Sequence, residues 1–245
     1  MAKHTSKNGN FTVATLQPKT RATYEENVDY LLDYVENSDA DLILAPELCL
    51  TNFDYENFEE AAAFYKQGLM ELLVMVDSQI LVLTMTVQEN EHFYNRALVL
   101  HNHQVFHEQD KSKLFKLGNE DGFFEAGDKN KIVPFTINKV KYAILICFEL
   151  RFKELWKQIE GADIVLIPAR WGRSRTEHLE TLSRALAIMN QTFVVLSNSA
   201  DDDMALASAI ISPWGGVYAD DNVEVLERSI ELKDVRRVRR LISMT

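Results

Sequence analysis

Three residues of this sequence have the side-chain types and settings for nucleophilic acyl chemistry. Cys147 closes the apolar run Tyr142-Ala-Ile-Leu-Ile146, and a helix is expected to begin almost at once, near Glu149. A cysteine on such a turn lies at the carboxyl end of a strand, where α/β sheets collect ligands and reactive groups. Helix-terminal N–H groups there favour thiolate over thiol. Glu47, in Ala45-Pro46-Glu47, follows the apolar run Leu42 to Leu44 and puts a carboxylate at a second strand end, where a general base could work. Lys111, in Asp110-Lys-Ser-Lys-Leu-Phe115, offers a cation for a developing oxyanion. Each also has a plainer explanation: a small hydrophobe ending a strand, a loop glutamate, a loop lysine. Spacing alone decides none of them.

The elements that must position these residues alternate between short β-rich runs and longer amphipathic ones. Strands are expected at Phe11 to Leu16, Asp41 to Ala45, Gln79 to Val87, Arg96 to Leu100, Gln104 to His107, Ile132 to Ile137, Val140 to Ile146, Asp163 to Ile167 and Phe193 to Leu196. Helical spacing marks Thr23 to Glu36, with Thr23 as N-cap, then Asn57 to Val76, Glu149 to Ile159 and Thr176 to Met189. Ala207 to Ser212, Val217 to Tyr218 and Val223 to Ile230 read as a closing meander. Between Asp110 and Lys131 runs a weakly periodic loop of about twenty residues, holding Gly118, Gly122 and Gly127; a loop that long inside a domain is usually functional or disordered. Its aromatics Phe115, Phe123 and Phe124 favour function. No linker or repeat interrupts the chain, so residues 1–245 read as one α/β domain with large buried sheets covered by helices.

Composition removes whole classes. Of 245 residues 47% are apolar, with nine glycines and five prolines, which excludes disordered, collagen-like and low-complexity chains. A net charge of −11 argues against a general nucleic-acid binder or a ligand for acidic membranes. The basic run Arg236, Arg237, Arg239 and Arg240 reads as a solvated tail, or as an anion or subunit contact. No apolar stretch approaches the roughly 18 residues of a membrane span, and the polar start (Lys3, His4, Lys7, Asn8) lacks a signal-peptide block. A cytoplasmic protein is expected, and its two cysteines, Cys49 and Cys147, make no disulfide framework. His101, His103 and His107 lack the carboxylates or cysteines of a metal site. His178, a conceivable partner for Cys147, reads as a solvated helix end, and Cys49 as core.

Together the three blocks resemble the nitrilase superfamily of carbon–nitrogen hydrolases, whose Glu-Lys-Cys triad occurs in this chain order. Ala45-Pro46-Glu47, Lys111-Ser-Lys-Leu114-Phe115 and Cys147-Phe-Glu-Leu-Arg151-Phe152 are similar to its three catalytic blocks. Asn119-Glu120-Asp-Gly-Phe-Phe124-Glu-Ala-Gly127 is similar to the segment carrying its second glutamate. Tyr94-Asn-Arg-Ala97, Pro168-Ala-Arg-Trp171, Asn190-Gln191, Ser208 and Pro213-Trp-Gly215 extend the resemblance over nearly the whole chain. The omega-amidase-like or carbamoyl-amide hydrolase branch is favoured over true nitrilases.

The resemblance implies a four-layer α-β-β-α sandwich of two mixed sheets flanked by helices. It also implies an amidohydrolase forming a thioester on Cys147, with Glu47 as base, Lys111 and the Phe148 N–H holding the oxyanion, and Glu120 orienting Lys111 or the substrate. No metal or cofactor is needed. The implied substrate is a small amide or N-carbamoyl compound that releases ammonia, and a homodimer or larger assembly is expected. Phe115, Phe124, Arg151, Arg170 and Trp171 are placed near the pocket, suggesting a substrate carboxylate clamped by an arginine. Arg151 is either that clamp or structural. The chain departs from the family in Leu186 and Met189, which replace an Arg and a Glu, in Phe148 and Glu149 after the nucleophile, and in Ala207 before Ser208. The alternative is a catalytically silent or amide-transferring protein of the same fold.

Overall fold

Residues 11–244 are described by a computed structural model, so the polar start named above lies outside the described residues. Their apolar runs form β1 (Phe11–Leu16), β2 (Leu42–Leu44), β3 (Ile80–Glu89), β4 (His92–His101), β5 (Gln104–Asp110), β6 (Phe135–Ile137), β7 (Val140–Ile144), β8 (Ile164–Pro168), β9 (Phe193–Ser197), β10 (Ala209–Ile211), β11 (Val217–Tyr218) and β12 (Val225–Ile230). The helices are α1 (Tyr24–Asn37), α2 (Phe58–Met75), α3 (Lys153–Gln158), α4 (Thr176–Met189) and α5 (Lys233–Leu241). Two six-stranded sheets result, ordered β12-β1-β2-β3-β4-β5 and β11-β10-β9-β8-β7-β6. Both are mixed: β1, β2 and β3 run parallel, as do β7, β8 and β9, while the flanking pairs are antiparallel.

The two-residue period of a strand decides the layering. Leu42 and Leu44 face the second sheet and share a cluster with Val82, Val99, Ile144 and Leu166, whereas Ile43 faces outward to Val28, Leu31 and Leu72 of α1 and α2. Leu155 of α3 and Leu179 and Leu186 of α4 cover the far side of the second sheet. The four-layer α-β-β-α sandwich buries both faces of β2, which is why that run is apolar throughout rather than alternating. Thr23 caps α1 as expected, its hydroxyl accepting the Glu26 N–H at 3.2 Å.

Three expectations change. The last segments form no meander: β10 and β11 finish the second sheet, while β12 crosses to pair with β1 of the first. The helix expected from Glu149 to Ile159 is broken, because a 3₁₀ turn covers Cys147–Arg151, Phe152 is extended, and α3 starts at Lys153. The basic run is helical rather than a tail: Val235 and Val238 of α5 are buried, and Arg239 pairs with Asp163 at 3.3 Å. The loop after Asp110 contains three short 3₁₀ turns. Among the described residues no helix is long and apolar enough to cross a membrane.

Candidate active site

The carboxyl ends of β2, β5, β7 and β8 meet where the two sheets face each other. Glu47 lies three residues past β2, Lys111 directly follows β5, and Cys147 is three residues past β7. The sheets are tied here by the Glu47 N–H, which donates to the Ala169 carbonyl at 3.3 Å. Gly127 is required by close approach: its N–H donates to the Lys111 carbonyl at 2.9 Å, and a Cβ there would stand 2.6 Å from the Asp110 carbonyl oxygen. The aromatic loop is thereby pinned beneath Lys111.

Glu47 and Lys111 are fully buried, and Cys147 is 6% exposed. The Lys111 ammonium donates to Glu47 Oε1 at 2.6 Å and to Glu120 Oε1 at 2.8 Å. Asn95 Nδ2 donates to the same Glu47 oxygen at 2.9 Å. Glu47 Oε2, also buried, has no well-formed hydrogen bond. Glu120 is held by the Phe115 N–H, which donates to its Oε2 at 2.9 Å.

A buried ammonium between two carboxylates stays charged. Burial works to lower the Lys111 pKa, but the charges of Glu47 and Glu120, with the hydrogen bond to Glu120, outweigh it and raise it. Burial pushes the Glu120 carboxyl up to about 6, against the pull of Lys111. The thiol of Cys147 departs from expectation: burial first, then the charge of Glu47, hold its pKa well above the ordinary value, with Lys111 pulling the other way. The five-residue 3₁₀ turn that follows supplies no full helix terminus to offset this. Cys147 therefore carries a proton within the field of a carboxylate that has a free oxygen to receive it.

The backbone at Cys147 is left-handed, with φ 50°, a conformation that strains a residue bearing a Cβ. Leu48, beside Glu47, is left-handed as well, with φ 48°, and its N–H donates to the Thr84 hydroxyl at 2.7 Å. Glu149 holds the cysteine turn in place. Its Oε2 accepts the Ile146 N–H at 2.8 Å, and its Oε1 accepts the N–H and hydroxyl of Ser112 at 2.7 and 2.8 Å. One buried carboxylate thus fastens the cysteine turn to the residue after Lys111.

Cys147 opens on a small cavity of about 30 Å³ lined by Phe115, Glu120, Phe148, Arg151, Arg170, Trp171 and Arg175. Phe115, Glu120, Arg170 and Arg175 also line an outer cavity of about 410 Å³, which continues past Tyr55 and Asp201. Arg170 faces both spaces, but its guanidinium is paired with Asp201 and donates to the Thr20 hydroxyl at 3.1 Å. Arg151 stacks over the Trp171 ring at 4.5 Å and donates to His178 Nδ1 at 3.0 Å, so His178 serves Arg151 rather than Cys147. Asn198 fixes the Trp171 peptide, its Oδ1 accepting the Trp171 N–H at 2.7 Å. Phe124 lies behind the wall, its ring packed edge-on against Phe53 and Phe58, and it lines neither cavity.

From sequence alone Asn95, Ser112 and Arg175 have no role in the site, and Glu149 is only a departure from the family pattern. Asn95 had one signal, a polar residue ahead of the buried run of β4. Leu186 is packed in the core and Met189 is exposed, and neither lines either cavity. Cys49 packs against the first sheet's core, where burial pushes its thiol up to about 12. His101 and His103 bond the carbonyls of Gln79 and Leu73, and His107 stacks on Phe135. Among the described residues no cluster of His, Cys, Asp and Glu is arranged to hold a metal ion.

The sequence profile of the carbon–nitrogen hydrolases matches residues 12–240. The 2-oxoglutaramate amidase of Bacillus subtilis (strain 168) is 30% identical over 220 residues, covering 84% of each chain. The omega-amidase YafV of Escherichia coli (strain K12) is 26% identical over 187 residues, covering 73% of this chain and 72% of its own. In structure, XC1258 from Xanthomonas campestris, a CN-hydrolase superfamily protein, superposes with a TM-score of 0.82 at 21% identity over 95% of both chains.

Proposed function

Because the chain belongs to the carbon–nitrogen hydrolase family and sets the buried Glu47–Lys111 pair within electrostatic reach of Cys147, which opens on the inner cavity, we propose that it hydrolyses the amide of a small carboxylate-bearing compound through a thioester on Cys147. The observation that carries this reading is the buried array in which Lys111 is held by Glu47 at 2.6 Å and by Glu120 at 2.8 Å, with a protonated Cys147 within the field of these charges. Glu47 Oε2 takes the proton from the thiol as sulfur attacks the amide carbon. The carbonyl oxygen becomes an oxyanion held by the Lys111 ammonium and the Phe148 N–H. Collapse breaks the C–N bond, and protonated Glu47 returns the proton to the leaving ammonia. Water, losing a proton to Glu47, then attacks the thioester. The second collapse releases the carboxylic acid, and Glu47 gives its proton back to sulfur.

The relatives named for 2-oxoglutaramate and for omega-amides support a substrate with its amide at one end and a carboxylate at the other. Arg151 suits that carboxylate, since Arg170 is already neutralised by Asp201. The silent-protein reading rested on Leu186 and Met189, which stand away from the cavity. The test measures ammonia release from 2-oxoglutaramate, succinamate and N-carbamoyl amino acids. Release from an omega-amide by the wild type, lost in Cys147→Ala, is expected. No release from any of them overturns the substrate class, and undiminished turnover by Cys147→Ala overturns the mechanism.

A further inference from the structure

The loop between β8 and α4 carries an arginine that the proposed mechanism leaves unused. Arg175 lines both the cavity at Cys147 and the outer one. Its guanidinium lies over the Phe115 ring at 5.0 Å. Gly172 makes room for it: a Cβ there would stand 3.3 Å from Arg175 Nη2. Three guanidiniums therefore border the inner cavity, and they differ in what balances them. Arg170 has Asp201. Arg151 has only the neutral ring of Trp171 and the acceptor nitrogen of His178. Arg175 has only the Phe115 face. Among the described residues neither Arg151 nor Arg175 is paired with a carboxylate. The acids of the outer wall are committed elsewhere in part, Asp201 to Arg170 and Asp202 to Lys19 at 2.8 Å.

Two like charges held near each other repel. After burial, the charge of Arg175 is the next cause lowering the Arg151 pKa. In a chain of net charge −11, two guanidiniums in one wall that no carboxylate pairs, although Glu120 and Asp203 line the same cavities, are suited to an anion. Donors of this kind suit a planar carboxylate with a further oxygen beside it.

We propose that Arg175 and Arg151 together form the anion-binding end of the site, with Arg175 leaving the face of Phe115 to close on the carboxylate of a substrate whose amide lies at Cys147. Arg175 lines both cavities together with Phe115, Glu120 and Arg170, and of these it is the cation without a carboxylate partner, so a carboxylate entering from the outer cavity meets it on the way to Cys147. This deepens the amidase reading and rests on it for the reaction, but the cation pair is testable without any turnover.

The first experiment alkylates Cys147 with iodoacetate and, separately, with iodoacetamide, resolving Cys147 from Cys49 by peptide mass spectrometry. The two reagents differ chiefly in charge, so the ratio of their rates reports the cationic field at the thiol. In Arg175→Gln the ratio at Cys147 is expected to fall at least about fivefold, with partial recovery in Arg175→Lys and no change at Cys49. An unchanged ratio, or no reaction of wild-type Cys147 with iodoacetate, overturns the proposal. The second experiment compares kcat and KM for succinamate and for butyramide, a neutral amide of the same length. Loss of one charge-assisted pair is expected to raise the succinamate KM about 10- to 100-fold in Arg175→Gln while kcat changes little, collapsing the preference for the anionic amide. Equal losses on both amides would mean that Arg175 supports the loop rather than the anion, and would also overturn it. Failure of the wild type on every amide refutes the amidase reading and leaves the alkylation ratio to decide the cation pair.

Discussion

A thiol whose pKa is pushed up by burial and by a neighbouring carboxylate is a poor nucleophile on its own, which is why the proposed mechanism requires Glu47 as its base. In the proposed mechanism sulfur is charged only as Glu47 takes its proton, so the two groups would act as one unit. Glu47→Gln keeps an acceptor for Lys111 and Asn95 but removes the base, and kcat is expected to fall by about 10²- to 10⁴-fold, with alkylation of Cys147 slowed in parallel. Normal alkylation in that variant would assign the base elsewhere. Glu120 is expected to set the acid limit of the proposed reaction. Its carboxyl, raised to about 6, is ionised above that pH and then shares the Lys111 ammonium with Glu47. As pH falls through about 6 it protonates and Lys111 is drawn towards Glu47, so kcat/KM should drop on an acid limb near pH 6. Stability runs the opposite way. A carboxyl raised from 4.5 in the unfolded chain to about 6 binds more protons when folded, so its stabilising contribution is complete below about 4.5 and lost as pH rises through about 6. Glu120→Gln should abolish or displace the acid limb in a kcat/KM profile. A limb that stays in place belongs to another group.

At the scale of elements, the turn at Cys147 combines a strained backbone with a side-chain clamp, and only part of that was legible in the sequence. The strand before it, the apolar runs before Glu47 and the helical spacing of α1 and α4 are local patterns, because burial of a face writes itself into residue periodicity. The clamp is not local. Glu149 reaches Ser112 across 37 residues and Asn95 reaches Glu47 across 48, and no periodicity records such pairs. Arg175 escaped notice for a related reason: charged residues in loops are common, and this one is distinguished only by what it lacks as a partner. The helix expected to start at Glu149 is interrupted at Phe152, whose extended backbone separates the 3₁₀ turn from α3, while the bond from the Ile146 N–H to Glu149 is a local cap three residues long. Glu149→Ala leaves the Ile146 and Ser112 N–H groups without acceptors, a cost of about 1–3 kcal/mol per buried donor. Thermal unfolding should show a lowered Tm. Ammonia release should fall further than the stability loss explains, because the clamp sets the distance between Cys147 and Lys111. A lowered Tm with intact kcat would make Glu149 purely structural.

At the scale of the molecule, the site exists because two sheets present the ends of four strands to one another, so their mutual register is a catalytic quantity. Two buried side-chain bonds cross between β1 and β9: the Thr15 hydroxyl donates to the Leu196 carbonyl at 2.8 Å, and the Ser197 hydroxyl donates to the Leu16 carbonyl at 2.5 Å. The second lies next to the reactive end, for the Ser197 carbonyl accepts the Ala169 N–H at 2.8 Å and the Ala169 carbonyl accepts the Glu47 N–H. A shift of β9 would pass through this chain to Glu47 on one side and to Trp171, held by Asn198, on the other. Each bond contributes about 0.5–1.5 kcal/mol, so Thr15→Val and Ser197→Ala should lower Tm by similar, small amounts. Their effects on turnover should differ. Misplacement of reacting groups by a fraction of an ångström is penalised steeply, so Ser197→Ala should lose about tenfold in kcat while Thr15→Val, farther along β1, loses less. Thr12→Val, which removes an exposed bond to Ser229 at 3.1 Å on the far side of the first sheet, provides the control and should change neither quantity appreciably. Equal kcat in all three, with Tm lowered in the two buried variants, would show that the sheets hold their register without these bonds and that the geometry at Cys147 is set locally by Glu149 and Lys111.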